Sequence, residues 1–228
     1  MKYILALVEG QTEEAFVIDV LNPYLEKHNL YITPTLTITK RVVDSGNYRG
    51  GVVSYGKIKF HLEQLIKNTN AVIITTFFDY CRLDGKDFPG WDRIKTQNFA
   101  SVSDKVAFLE QQPQADIPDS RFKPYFALHE FEAMLYAEPA KIVQTFPELP
   151  AKALLDIQAI HDEFESPEAI NDTKSPSQRL MEILSRYSTR YDKPLFGSLI
   201  SLDIGLDTIR QHCPHFNQWL ITLESLSN

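Results

Sequence analysis

Three acidic residues each follow an apolar run that is typical of a buried strand. Glu9 and Asp79 come directly after the two most apolar runs in the chain, and Glu130 lies just after a third run. An unpaired carboxylate at the rim of a sheet is costly unless a cation or hydrogen-bond donors meet it. Because parallel strands end at one edge of a sheet, where open α/β folds bind ligands, we expect the three acids to converge in one cleft.

Such a cleft favours a divalent metal. Two carboxylates about 4 Å apart repel by roughly 4 kcal/mol at an effective dielectric of about 20. Convergence is therefore favourable chiefly if Mg²⁺ or Mn²⁺ joins the carboxylates, or if one of them takes up a proton. A metal there could polarise a phosphoryl oxygen and lower the pKa of a bound water. With a second ion about 3.5 to 4 Å away, it could stabilise both the entering and the leaving oxygen of a phosphodiester cleavage.

Each acid also has an ordinary structural interpretation. Polar residues commonly follow strands, so Glu9 or Asp79 could cap the next helix or pair with an arginine. For one residue alone that interpretation is the better one, whereas for the pair we prefer metal binding. Glu13 belongs either to the metal site or to an ordinary first helical turn. Glu130 or Glu132 could face the cleft, and Glu130 is favoured because it lies nearer the strand end.

Four further residues are candidates for contacts with phosphate. His129 could position a phosphate or shuttle a proton, or it could be structural. Ser177 and Arg179 lie at the start of a predicted helix whose amino terminus could hold a phosphate, although a plain capped helix is the alternative. Lys193 could stabilise charge, but a surface lysine before a proline is commonplace. A zinc protease is rejected because Ala133 occupies the position of the second histidine.

Alternating strands and helices position these residues in the first half of the chain. Strands are predicted at residues 3–8, through Leu36, Ile38 and Val42, at 71–78 and at 123–128. Helices are predicted after a cap at Thr12, at 55–67, near 104–111 and directly after His129, with loops at 44–54 and 81–103. This order predicts an α/β fold with a mostly parallel four-stranded sheet flanked by helices. Residues 1–138 are the expected core, and 139–228 a mainly helical region packed on it as one structural domain.

Composition limits the classes of function. The 228 residues are 43% hydrophobic and 23% charged, which is typical of a globular protein. No apolar run approaches a membrane span and no leader is recognised, so we expect a cytoplasmic protein that makes no membrane contact. The net charge of −7 argues against holding nucleic acid by bulk electrostatics. The chain alone should bind DNA or RNA weakly, and a basic partner could supply the contacts with the phosphate backbone.

Five stretches together resemble a known family. They are LVEGQTE from Leu7, FFDY from Phe77, DFPG from Asp87, LHEFEA from Leu128 and PSQRL from Pro176. Over nearly its whole length the chain resembles a bacterial family of Toprim-like proteins of unknown function, domain of unknown function 4276. Toprim is the metal-binding fold shared by topoisomerases, bacterial primases and the nuclease domains of overcoming-lysogenization-defect proteins.

The resemblance implies a Toprim-like fold with a glutamate after the first strand and an Asp-x-Asp after a later one. Glu9 and Asp79 match, but the second aspartate falls on Cys81, which is not a hard oxygen ligand. Glu130 or Glu132 would have to fill that position. Such families often lie beside an ABC-type ATPase in phage-defence or mobile-element loci, so the resemblance also implies an ABC-type ATPase partner.

The leading hypothesis is therefore a Mg²⁺- or Mn²⁺-dependent nuclease-like effector that works with an ATPase partner. Glu9 and Asp79 would bind the metal, Glu130 would complete its shell or act as base, and His129, Arg179 and Lys193 would contact phosphate. One alternative is a catalytically silent Toprim-like binding or regulatory subunit of an ATPase complex. Another is phosphoryl transfer on a small molecule.

Overall fold

The computed structural model describes residues 1–37, 54–170 and 173–226. Within these residues one parallel sheet is built from five strands, β1 (Lys2–Val8), β2 (Leu30–Leu36), β3 (Ala71–Asp79), β4 (Phe122–Lys123) and β5 (Phe126–Ala127). The strand order is β2-β1-β3-β4, and β5 also pairs with β3. Every pairing is parallel. The predicted α/β fold with a parallel sheet is confirmed.

Helices connect the strands and make up most of the carboxyl-terminal half. In the first half these are α1 (Gln11–Phe16), α2 (Asn22–Leu25), α3 (Tyr55–Ile66), α4 (Trp91–Thr96) and α5 (Val102–Asp116). A π-helical turn, Val17–Leu21, joins α1 to α2, and short 3₁₀ helices span Glu26–His28, Tyr80–Arg82, Phe131–Ala137 and Pro167–Ala169. The second half holds α6 (Pro139–Thr145), α7 (Ala151–Glu163), α8 (Pro176–Ser185), α9 (Lys193–Ile204), α10 (Leu206–His212) and α11 (Pro214–Glu224). None of the helices in the described ranges is long and apolar enough to span a bilayer.

The sheet is covered on both faces because its central strands are apolar on both sides. Along β1, the side chains of Ile4, Ala6 and Val8 lie in one hydrophobic core, and those of Leu5 and Leu7 lie in the other. The first core also contains buried residues of α1 and of α6 to α11, whereas the second contains those of α3, α4 and α5. Residues of the predicted helical region thus share a core with the sheet, while the boundary at residue 138 stays a prediction.

The second strand begins earlier than the sequence pattern predicted. β2 covers Leu30–Leu36 and pairs with β1 from Lys2 onward, whereas the prediction ran through Leu36, Ile38 and Val42. Pro34 argued against a strand in the sequence. A proline is tolerated here because, within the described residues, β2 pairs with β1 alone and lies at the sheet edge. Ile38, Val42 and the predicted loop up to residue 53 lie outside the described residues.

Other local predictions also need correction. The residue that caps α1 is Gly10 rather than Thr12, and the Glu13 carboxylate accepts a hydrogen bond from the Gly10 N–H at 2.8 Å. The fourth strand is split into β4 and β5 around Pro124, which has no N–H to donate. The helix predicted after His129 is a 3₁₀ helix. The loop predicted at 81–103 contains α4, and the helix predicted near 104–111 is longer, Val102–Asp116.

Candidate functional site

Glu9 and Asp79 are neighbours at the carboxyl edge of the sheet. The register of β1 and β3 pairs Val8 with Phe77, and the Glu9 N–H donates to the Phe77 carbonyl at 3.1 Å. The backbone N–H of Asp79 in turn donates to Oε2 of Glu9 at 3.3 Å. Two residues seventy positions apart in the chain therefore share one site, as the parallel-strand argument predicts.

Asp79 also binds the segment that follows β5. Its Oδ1 accepts a hydrogen bond from the Phe131 N–H at 2.8 Å, and its side chain is buried. Burial raises the pKa of Asp79 well above its ordinary value, and the nearby carboxylates of Glu9 and Glu13 raise it further. The aspartate is thus placed where ionisation is costly unless positive charge is added.

Glu9 and Glu13 experience the same electrostatic problem. Burial raises the pKa of Glu9 to about 8, with a further contribution from the charge of Glu13. Burial likewise raises the pKa of Glu13 to about 7, and repulsion from Glu132 adds to the effect. The side chain of Glu13 bonds back to the Gly10 N–H and so anchors the first turn of α1 beside the site.

Glu130 is an ionised carboxylate held by hydrogen bonds. Its Oε2 accepts the Ser177 N–H at 3.0 Å, and its Oε1 lies 3.9 Å from an Arg82 guanidinium nitrogen. The Cys81 thiol is 4.0 Å from the same Oε1. Burial alone would raise the pKa of Glu130, but the Lys193 ammonium and the bonds from Ser177 outweigh it and lower that pKa below its ordinary value.

Glu132 forms a buried ion pair with Lys193. The distance from Lys193 Nζ to Glu132 Oε1 is 2.9 Å, and the side chain of Glu132 is only 2% exposed. Burial disfavours the charged ammonium, yet attraction to Glu132 and Glu130 raises the pKa of Lys193 overall. The sequence left open which glutamate faces the cleft, and the structure places both among the same buried charges, each with a different partner.

We call Glu9, Glu13, Asp79, Glu130 and Glu132 the acid cluster. The negative charges of all four glutamates repel that of Asp79 and raise its pKa. Of the cations in the described residues, Arg82 lies beside the cluster at Glu130 and Lys193 at Glu132. Sequence reasoning identified Lys193 but missed Arg82, although an arginine three residues past a strand-ending aspartate is a usable signal.

His129 has a left-handed backbone at the entrance to this segment. Its φ is +64°, a conformation that costs a non-glycine residue roughly 1–2 kcal/mol. Its side chain is buried, and its carbonyl accepts the Cys81 N–H at 3.3 Å. This left-handed residue lies between β5 and the 3₁₀ helix, so Glu130 and Glu132 follow soon after the end of the strand. A phosphate contact by His129 stays a prediction.

The two predicted phosphate-binding residues of α8 have other partners. The N–H of Ser177, near the start of α8, donates to Glu130, so an internal carboxylate already meets this helix terminus. Arg179 donates to the Lys174 carbonyl at 2.9 Å and to Glu163 at 3.3 Å. Its guanidinium also stacks over the Phe164 ring. The structure therefore brings Ser177 to the acid cluster but gives Arg179 contacts with α7 and the segment before α8.

Comparison with known proteins identifies the family. A model described as Domain of unknown function (DUF4276) matches residues 8–224. The chain belongs to this family. The resemblance drawn from the five sequence stretches is thereby confirmed. No curated protein matches the DUF4276 chain.

Solved structures similar to the DUF4276 chain include two bacterial regions. The C-terminal region of the Burkholderia pseudomallei OLD protein is 13% identical, with a TM-score of 0.48 over 99% of this chain and 98% of that one. The C-terminal region of the Xanthomonas campestris pv. campestris OLD protein is 16% identical, with a TM-score of 0.44 over 98% of this chain and 95% of that one. At these values the likeness says nothing about activity.

The carboxylate oxygens of the acid cluster are of the chemical type that a hard cation prefers. Among residues 1–37, 54–170 and 173–226, no three His, Cys, Asp or Glu side chains are gathered as a ready coordination shell. Oε1 of Glu9 and Oδ2 of Asp79 nevertheless accept no hydrogen bond from these residues. Carboxylate oxygens are the ligands that Mg²⁺ and Mn²⁺ prefer in proteins.

Proposed function

We propose that the protein is a Mg²⁺- or Mn²⁺-dependent nuclease-like effector that hydrolyses phosphodiester bonds, acting with an ATPase partner. The observation that carries the proposal is the hydrogen bond from the Asp79 N–H to Glu9, which joins the two strand-ending acids at one sheet edge. The raised pKa values of Glu9, Glu13 and Asp79 support it, because a divalent cation would relieve their repulsion. The ATPase partner rests on the family resemblance alone.

Glu9 and Asp79 would hold the metal through Oε1 and Oδ2, which accept no hydrogen bond from the described part of the chain. When bound, the metal would lower the pKa of a water and polarise a phosphoryl oxygen. Glu130, kept ionised by Ser177 and Lys193, would complete the shell or accept a proton as general base. The cations at the cluster would attract the phosphate of a substrate.

The other residues predicted to contact phosphate differ in where they lie relative to the acid cluster. Lys193 lies at the cluster and is the nearest predicted phosphate ligand, and we add Arg82 on the same ground. His129 and Ser177 lie at the cluster through their backbone atoms. Arg179 would have to exchange its bonds to Glu163 and Lys174 to reach a phosphate.

The test is cleavage of DNA and RNA with Mg²⁺ or Mn²⁺, measured for the parent chain and for a Glu9→Gln/Asp79→Asn variant. We expect the variant to lose metal-dependent cleavage while its far-ultraviolet circular dichroism is unchanged. A Glu14→Gln/Asp84→Asn variant is the matched control, because it also removes one glutamate and one aspartate charge, from side chains that make no hydrogen bond to the cluster within the described residues. Equal cleavage by the Glu9→Gln/Asp79→Asn variant and its parent would refute the assignment.

One specific observation favours a second function, a catalytically silent regulatory subunit of an ATPase complex. Lys193 and Arg82 already lie against Glu132 and Glu130, and Cys81 stands where the Toprim pattern has an aspartate. The cluster could thus be partly neutralised by the chain itself. Retained partner binding in the Glu9→Gln/Asp79→Asn variant, together with no cleavage by the parent under any metal condition, would support this function.

A further inference from the structure

Helix α9 exposes three leucines on its outer side. Leu195, Leu199 and Leu202 are 55%, 43% and 47% exposed. Their spacing of four and three residues puts them on one side of the helix. The buried side carries Ile200 and Ile204 together with the small residues Gly197, Ser198 and Ser201. The core therefore does not use the leucines of α9.

Close packing against the 3₁₀ helix after His129 explains why α9 has small residues on its buried side. A Cβ added at Gly197 would lie 2.9 Å from the ring of Phe131, so only glycine fits there. Ser198 donates to Asp19 at 2.7 Å, and Ser201 donates to the Gly197 carbonyl at 2.8 Å. Nothing in this packing requires leucine on the outer side.

The leucines form one apolar surface with residues of the first helical segment. Ile18, which is 48% exposed, lines a groove of about 470 Å³ together with Pro23 and the three leucines. A second groove of about 230 Å³ continues from it through Asp19, Pro23 and Leu202. We call Ile18, Pro23, Leu195, Leu199 and Leu202 the α9 face. A contiguous exposed apolar patch of this kind marks an interaction site.

The rim of the α9 face is acidic. Asp19 and Asp207 line the grooves, and Asp203 is exposed beside Leu202. Among the described residues that line the two grooves, Lys27 is the one cation. A second copy of the chain would bring these aspartates against each other, and an anionic lipid surface would be repelled in the same way. The charges instead complement a partner that carries lysine or arginine.

We propose that the α9 face binds an amphipathic helix of a partner protein, whose apolar side chains enter the grooves and whose lysines or arginines meet the acidic rim. The idea rests on the proposed function insofar as that function requires a partner. It also places the partner beside the site, because Lys193 is the first residue of α9 and pairs with Glu132. A helix bound to Leu195 and Leu199 would lie within two turns of that ion pair.

The test uses a synthetic amphipathic peptide of about 18 residues with leucines at helical spacing and lysines on the polar side. Binding of the labelled peptide is measured by fluorescence anisotropy at low salt. The parent should bind it at least about ten-fold more tightly than a Leu199→Gln/Leu202→Gln variant does. Leu155→Gln is the control, because Leu155 is 69% exposed on α7, away from the α9 face. A Glu-for-Lys version of the peptide should not bind.

Equal affinity of the parent and the Leu199→Gln/Leu202→Gln variant for the lysine peptide would overturn the proposal. So would a parent dimer in analytical ultracentrifugation that the same variant abolishes, because a second copy would then cover the face. An Asp203→Lys/Asp207→Lys variant should weaken peptide binding even if the leucine variant proves unstable. Peptide binding is measured without metal. The peptide proposal can therefore fail while metal-dependent cleavage persists, and cleavage can be absent while the peptide still binds.

Discussion

At the residue scale, the acid cluster is organised by hydrogen bonds that single side chains make to backbone N–H groups. Glu9 bonds to Asp79, Asp79 to Phe131 and Glu130 to Ser177, so each carboxylate joins two different segments. The bond from Ser177 to Glu130, whose pKa is lowered, has a charged acceptor, and bonds of that type contribute about 1.5–3 kcal/mol. The acids thus position the loops of the site as well as offering oxygens to a cation.

Cys81 gives the first prediction at this scale. Its thiol lies near Glu130, and burial together with the charges of Asp79 and Glu130 raises its pKa, so it stays a neutral thiol. Cys81→Asp would add a hard oxygen ligand, and we expect roughly ten-fold tighter Mn²⁺ binding. The measurement is the metal concentration at the midpoint of the thermal shift. Cys81→Ser, which adds no charge, should bind like the parent; if it tightens binding equally, the argument from ligand charge is wrong.

The buried pair of Lys193 and Glu132 gives the second. Lys193→Met leaves the Glu132 carboxylate buried without its cation, which should lower the free energy of unfolding by about 1–3 kcal/mol in urea titrations. Glu132→Gln in the same chain should recover part of the loss, since a neutral amide needs no counter-charge. A double variant as unstable as the sum of the two single variants would show that the pair is not coupled.

The pH dependence of the metal-free protein gives the third. The pKa values of Glu9 and Glu13 are raised to about 8 and about 7, whereas the unfolded chain has ordinary values near 4.5. The folded state then binds more protons than the unfolded state between these values, so stability falls as pH rises from about 5 to 8. Urea titrations in a chelator should show this slope, and Glu9→Gln should reduce it. A stability that rises with pH over this range in the parent would contradict the raised pKa values.

At the element scale, the sheet edge at β2 is closed by a side chain. Asn22 donates to the Ile32 carbonyl at 3.0 Å and accepts from the Ile32 N–H at 2.9 Å, and both bonds are buried. These bonds satisfy outward-facing backbone groups of the edge strand, and they join α2 to the sheet. An open edge would otherwise be able to pair with another chain.

The fourth prediction follows from that edge. Asn22→Ala leaves a buried N–H and a buried carbonyl of Ile32 unpaired, and should cost about 2–4 kcal/mol of unfolding free energy. Asn22→Asp keeps the acceptor but not the donor, so its loss should be smaller. Thermal and urea unfolding measure both variants. A loss below about 0.5 kcal/mol for Asn22→Ala would mean that water replaces the amide.

The strands that end in acids could be predicted from the sequence because each is formed by a local apolar run. Unbroken apolar runs predicted β1 and β3, and the parallel arrangement of strands then predicted that Glu9 and Asp79 meet. Tertiary contacts decided the rest. The bond of Arg82 to Glu130, the left-handed turn at His129 and the pairing of Lys193 with Glu132 depend on segments far apart in the chain. The start of β2 was not predicted because Pro34 argued against a strand. A proline is tolerated in a strand mainly at the edge of a sheet.

At the scale of the whole molecule, charge and function are linked. On electrostatic grounds we expect a chain of net charge −7, with five buried or half-buried acids in one cluster, to hold nucleic acid weakly by itself. A cation at the cluster would offset part of that charge locally, and a basic partner on the α9 face would do so over a larger surface. The two additions would act on neighbouring parts of the molecule, since α9 begins at Lys193.

The most direct test of the central claim is a count of bound Mn²⁺ by electron paramagnetic resonance at pH 8, where about half of Glu9 is ionised even without metal. We predict that the parent binds at least one ion, that Glu9→Gln and Asp79→Asn each weaken binding about ten-fold or more, and that Glu14→Gln does not. Binding of Mn²⁺ by the Glu9→Gln/Asp79→Asn variant with the same stoichiometry and affinity as the parent would contradict the account.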